Sequence, residues 1–249
     1  AAVMATATNE SPWELVHHID AFDGISLELP VPPPLDKLLT PQSMYAYRAI
    51  HRLLLKTERA CDALSALWMR LRKPSPNERG NADNVEPQFS GAHAWHALRL
   101  HVHELRHFAS LVQQHILAGV CEGCWAELLR SIAAATSPSH VRRAHANFGE
   151  AAVAHCLLHA DGAAASALIT SVLSLSLKLH RELLGAEHSD DLMMSTSIDD
   201  ERTVARECGF LPTLVRTSRR RFALLIASLA EHPLAPASLV QPNVFLMQG

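Results

Sequence analysis

Aromatic residues are scarce in this chain: seven Phe, four Trp and two Tyr make up 5% of 249 residues. Sheets draw on aromatic and β-branched side chains, whereas Leu and Ala, which dominate here, favour helices. A strong excess of charge of one sign is also lacking. The formal net charge is −3, so no global field draws the chain to nucleic acid or to a membrane surface. No apolar run approaches the roughly 20 residues that cross a bilayer. Five cysteines, an odd number, form no disulfide framework and suit a reducing compartment. No glycine-rich phosphate loop occurs, and no stretch alternates apolar and polar residues well enough to predict a strand. The expectation is an all-α fold, a helical bundle of about five or more long helices with Pro-rich and acidic mobile loops.

What is present is helical periodicity. From Ala92 to Ile132 the chain has no proline. Leu98, Val102, Leu105, Ala109, Val112, Ile116 and Val120 recur every three or four positions, one stripe of a helix. His101, His103, Arg106, His107, Gln113 and Gln114 fall mainly on the other faces, and Gly119 and Gly123 mark a bend. Trp125, Leu128, Leu129 and Ile132 continue the apolar face.

Upstream, residues 1–40 form an extended Pro-rich entry segment. Pro30, Pro32, Pro33 and Pro34 exclude a helix interior, and Leu35, Leu38 and Leu39 suggest a short buried turn. Residues 41–249 are read as the bundle. Thr40 and Pro41 make a capped helix start. The helix from Pro41 to Leu71 carries Tyr47, Ile50, Leu54, Thr57, Cys61, Leu64, Trp68 and Leu71 in heptad-like alternation. This suits either a coiled coil or, with matching stripes so near in sequence, a bundle within the chain. Loops are expected at about 73–91 and 185–201. Ser137 and Pro138 start another helix, with Val141, Ala144, Phe148, Ala152, His155 and Leu158 as its stripe. The helix after Asp161-Gly162 is apolar over most of its circumference and is expected at the centre. The last helical region, about Arg202 to Glu231, is read as either continuous or broken at Pro212, with Phe222, Leu225, Ile226 and Leu229 as its stripe. The chain opens at Ala1 and reads as a fragment of a longer protein.

Three patterns bear on chemistry. His103, Glu104 and His107 spell HExxH on a helix, the spacing that lets two imidazoles hold zinc while the glutamate acts as general base. A third ligand is missing: Ser110 and Gln113 stand where a longer zinc motif needs Gly and His, and nothing marks Glu122 or Glu127 for the task. The motif therefore reads as a decoy, with no metal and no cofactor expected; a helical zinc-dependent hydrolase is the competing reading. Cys121 and Cys124 spell CxxC late in a helix with no strand before it, which argues for buried free thiols rather than a redox centre. Arg216, Arg219 and Arg220, with Arg221, form a basic cluster too narrow for nucleic acid; it reads first as a solvated face and, as a functional alternative, as a docking site for an acidic protein surface. No Ser, His and Asp arrangement is suggested by local context, and no catalytic residue is assigned.

Blocks in order resemble the carboxy-terminal domain of the γ-tubulin complex component family, which includes spindle-pole-body components. They are Tyr47 to Trp68, Leu98 to Leu129 with Phe108 and Trp125, Ser137 to Leu158 with His145 and Phe148, and Leu168 to Leu184. His115 stands where the family usually has Tyr. Within the family the wording is most similar to the component 6 branch. The resemblance implies a γ-tubulin-binding helical scaffold of the γ-tubulin ring complex, not an enzyme, that positions γ-tubulin to template microtubule nucleation. The implied partners are γ-tubulin and other γ-tubulin complex components, without nucleic acid or membrane. The implied location is the cytoplasm and cytoskeleton, at a microtubule-organising centre or spindle pole. Arg216, Arg219 and Arg220 are the expected partner contacts, while Trp68, Trp125, His145 and Phe148 are expected to hold the bundle together.

Overall fold

The computed structural model describes residues 28, 30–33, 35–72, 89–191 and 200–240. Its elements are α1 (Pro41–Leu71), α2 (Phe89–Leu117), a π-helical segment (Ala118–Cys124), α3 (Trp125–Ala133), α4 (Pro138–His155), α5 (Ala163–Asp191), α6 (Asp200–Ala230) and the short α7 (Ala237–Val240). Among the described residues there is no strand, and the all-α expectation holds.

Both predicted starts are built as expected. Thr40 Oγ1 accepts from the Ser43 amide at 3.3 Å, and Ser137 Oγ accepts from the His140 amide at 3.4 Å. Each satisfies a donor that the first turn leaves unpaired. At the other end of α1, Arg99 Nε of α2 donates to the Leu71 carbonyl at 2.7 Å, placing a cation on the negative end of that helix.

Of the two readings of α1, the structure takes the bundle. Ile50, Leu53, Thr57, Ala60, Leu64, Leu67 and Leu71 are buried, and α1 packs on α2, α4 and α5 of the same chain. Small Ala60 and Ala63 on this face let the neighbouring helices approach closely. Helix α5 buries much of its circumference, with Val172, Leu173, Leu175, Ser176, Leu177, Leu179 and His180 inside, but the central place expected for it is corrected: Ala167, Ser171, Lys178 and Arg181 form an exposed row, and it packs chiefly on α1 and α6. The stretch Pro138–Leu183 contains a window long and apolar enough to cross a membrane, but these α5 side chains pack in the core. Between α4 and α5 the buried Leu157 adopts φ 58°. Gly162 closes that turn, because a side chain there would meet the Leu157 carbonyl at 2.8 Å.

Several expectations are corrected. Helix α2 begins at Phe89, α5 runs on to Asp191 and α6 starts at Asp200, so the loops expected at 73–91 and 185–201 are shorter. A single glycine such as Gly185 costs a helix only about 1 kcal/mol, too little to stop it. What is left of the two loops, 73–88 and 192–199, lies outside the described residues, as do 1–27 of the entry segment and 241–249 at the end. Of the two readings at Pro212, the structure takes the continuous one: helix α6 passes through it unbroken. Proline there removes one hydrogen bond, while Val215, Phe222 and Leu229 anchor the helix in the core. Leu35 is exposed rather than buried.

The bend expected at Gly119 and Gly123 is the π-helical segment. Its wider turn rotates α3 out of register with α2. Only Leu128 of α3 is buried, while Trp125, Leu129 and Ile132 are exposed instead of continuing the α2 stripe. Gly119 has a specific task here. The His155 ring of α4 occupies the space a methyl group would fill. That ring stacks on His115, with centroids 4.2 Å apart. Each Nε2 faces the other residue's backbone carbonyl, at 3.0 and 3.3 Å. Burial and the neighbouring His155 hold the His115 pKa below its ordinary value.

Candidate functional site

The four cluster arginines belong to a helix segment with a strict inner row. Val215, Ser218, Phe222 and Leu229 are buried on α6, which leaves Arg216, Arg220 and Arg221 exposed and Arg219 at the edge. From Pro212 to Ala230 the helix carries four arginines and no acidic residue. Its charged side chains are therefore all basic.

Arg219 leads inward to a buried polar network. Its Nη2 lies 3.1 Å from Glu104 Oε1. The second carboxylate oxygen, Oε2, lies 3.3 Å from His101 Nδ1, and His101 Nε2 lies 2.7 Å from Ser218 Oγ. His101 is fully buried, with Glu104 and Ser218 nearly so. The expectation that His101 sits on an outer face is thus corrected: α2 buries a second face against α6. Burial alone pushes the Glu104 carboxyl up, but the hydrogen bond from His101 and the charge of Arg219 outweigh it, and the pKa ends below its ordinary value. The Phe222 ring meets His101 and Phe108 edge-on, at 5.9 and 6.1 Å, and shuts water out.

Two separate sequence patterns therefore meet. Glu104 of HExxH is the internal partner of Arg219 of the basic cluster. With both oxygens engaged, Glu104 does not face a metal held between His103 and His107, whose side chains are exposed. His103 instead lies against Trp68, with ring centroids 6.0 Å apart. Among the described residues, no group of three His, Cys, Asp or Glu is placed to hold a metal ion. Ser218 and the inward role of His101 were missed from sequence; the only signal was that 101 and 104 lie one helical turn apart.

The Ser–His–Glu contact invites comparison with a hydrolase triad. It lacks the remaining parts: Ser218 sits within a continuous helix, whose backbone amides are spent on intrahelical bonds and form no oxyanion hole.

The CxxC lies in the π-helical segment. Cys121 is exposed, contrary to the expected buried pair, and Cys124 is half-buried. Burial pushes the thiol of Cys156, on the adjoining turn after α4, up to about 12. Of the residues expected to hold the bundle, His145 and Phe148 meet Tyr47 and the exposed Trp125 at the α1–α4–α3 junction, while Trp68 lies against His103 of α2 instead. Tyr47 Oη and His145 Nε2 are 2.9 Å apart, and Phe148 packs near Tyr47 and Trp125 at 6.2 and 5.9 Å between centroids.

Beside the arginines, a half-open hollow of about 180 Å³ lies between α5 and α6, lined by Leu175, Leu179, Leu214, Thr217, Lys178 and Arg221 among others.

Comparison with known proteins gives a consistent result. The family model described as "Gamma tubulin complex component C-terminal" matches residues 3–233. Gamma-tubulin complex component 6 of Homo sapiens is 24% identical over 189 residues, covering 72% of this chain and 10% of that protein. The Mus musculus counterpart gives the same identity and coverage. Spindle pole body component alp6 of Schizosaccharomyces pombe is 30% identical over 115 residues, 46% of this chain and 13% of that protein. The chain thus spans about a tenth of the length of the component 6 relatives.

Proposed function

This chain belongs to the gamma-tubulin complex component C-terminal family, and we propose on that premise that it is a γ-tubulin-binding scaffold. It acts with other γ-tubulin complex components in the cytoplasm and cytoskeleton, at a microtubule-organising centre or spindle pole, where γ-tubulin is held in position to template microtubule nucleation. The observation that carries the reading is the family match over residues 3–233.

The geometry supports a binding role and offers little to a catalytic one. Affinity in such a scaffold comes from a few anchors and complementary charge. Arg216 and Arg220 stand exposed on a helix face without a nearby acid of its own, and Arg219 is fixed at the edge of that face by Glu104. A carboxylate-rich partner surface is steered toward such a face and loses contact with it at higher salt. These three arginines are the proposed γ-tubulin contacts. Glu104, held by His101 and Arg219, gives the zinc-hydrolase reading no general base.

The test is capture of purified γ-tubulin by the chain at low and moderate salt, alongside Arg216→Glu/Arg220→Glu. Binding that weakens with salt and with charge reversal supports both the function and the face. Binding indifferent to the reversal keeps the function and removes the face. No binding by a folded, helical chain overturns the function.

A further inference from the structure

We propose that the hollow between α5 and α6 receives one leucine- or phenylalanine-sized side chain of γ-tubulin, with an adjacent carboxylate of that partner held by Arg221 at the rim, where Lys178 and Glu182 offset one another. The proposal rests on the γ-tubulin-binding reading and adds to it the anchor that surface arginines alone do not supply.

The size fits. The cavity holds about 180 Å³, and an apolar protein cavity of about 150 Å³ takes a benzene ring. The walls fit as well. Leu175 and Leu179 are buried in the core and form the floor with Leu214, while Thr213 and Thr217 stand exposed at the mouth. An apolar guest therefore gains contact on several sides without stranding a buried charge.

Charge selects what flanks the guest. Lys178 and Arg221 line the cavity, and its one acid, Glu182, already lies 3.6 Å from Lys178. Arg220 and Arg216 extend the same sign along α6, whose segment from Pro212 to Ala230 has no acid. A guest flanked by a carboxylate matches this rim, and one flanked by a cation is repelled. An apolar knob in a pocket, ringed by charge that excludes water, is the usual form of an interface hot spot.

The experiment titrates purified γ-tubulin against the whole chain, wild type and three variants, with melting curves for each. Thr217→Trp fills the cavity from its exposed rim. Arg221→Glu reverses the rim without touching the core. Arg142→Glu/Arg143→Glu, exposed on α4, changes the net charge far from the cavity. The expected result is a loss of affinity of about tenfold or more, roughly the 1.4 kcal/mol or more of a modest hot spot, for Thr217→Trp and for Arg221→Glu. The α4 pair should stay within about twofold. Wild-type binding with both cavity variants within about twofold overturns the cavity and leaves the function standing. Absence of wild-type binding overturns both. If Thr217→Trp lowers the melting temperature, a further uncharged variant, Thr213→Trp, which fills the hollow from its other exposed threonine, decides the matter.

Discussion

Arg219 of α6 donates from Nη2 to Glu104 Oε1 of α2 across 3.1 Å, a contact between residues 115 positions apart in the chain. One end of the pair is nearly buried and the other reaches the surface: the side-chain exposures are 4% for Glu104 and 36% for Arg219. The pair therefore ties the basic face to the core and fixes the direction in which Arg219 leaves it.

Glu104→Ala should destabilise the fold by about 2–3 kcal/mol, because it strips His101 and Arg219 of a shared acceptor inside the protein. His107→Ala, at an exposed position of the same HExxH, should stay within about 0.5 kcal/mol. Urea unfolding of the two variants checks this. Equal effects would mean that the network contributes nothing.

Stability should fall on acidification in two stages. His115 and His145 have pKa values held below the ordinary 6.5, mainly by burial. The unfolded chain therefore takes up protons first, and this stability is complete above about 6.5 and lost as pH falls through the lower folded values. Glu104 lies below its ordinary 4.5 despite burial, through His101 and Arg219. Its contribution is complete above about 4.5 and lost as pH falls further. Denaturant midpoints between pH 8 and pH 3.5 report both stages; a flat profile from 7.5 to 5.5 would contradict the histidine assignment.

Gly119→Ala should cost about 1–3 kcal/mol, since its methyl overlaps the His155 ring, and moving that ring breaks the stack on His115. Gly123→Ala meets nothing nearer than the Ala118 carbonyl at 3.9 Å, and should be neutral or stabilising by up to about 1 kcal/mol. Thermal melts should show a lower midpoint for Gly119→Ala and an unchanged or higher one for Gly123→Ala.

Thiol alkylation at pH 8 should modify exposed Cys121 well before Cys156. The latter is buried, and its thiol is held up to about 12, so it presents almost no thiolate. Mass-resolved labelling of the native chain gives the order. Early modification of Cys156 would show that the turn after α4 opens readily.

Local periodicity and local chemistry were enough for much of the fold. The stripe from Leu98 to Ile116 on α2 and the caps at Thr40 and Ser137 are all as their spacing requires. Each depends on residues within one or two helical turns, whose geometry is the same in any helix. The helix end at Gly185 was misjudged and the outcome at Pro212 was left open, because tertiary packing outweighs one residue's local preference.

By itself, then, the sequence determined the helical class, the order of the helices, most of their inward faces and the family resemblance. Tertiary structure alone decided which polar groups meet. That His101 turns inward to Ser218, that Glu104 serves Arg219 instead of a metal, and that His155 fills the space beside Gly119 depend on how three or four helices cross. No spacing within a single helix encodes such crossings. They are set by the summed fit of buried side chains, in which a small rotation, such as that of the π-helical turn, moves Trp125 and Leu129 from the expected core face to the surface.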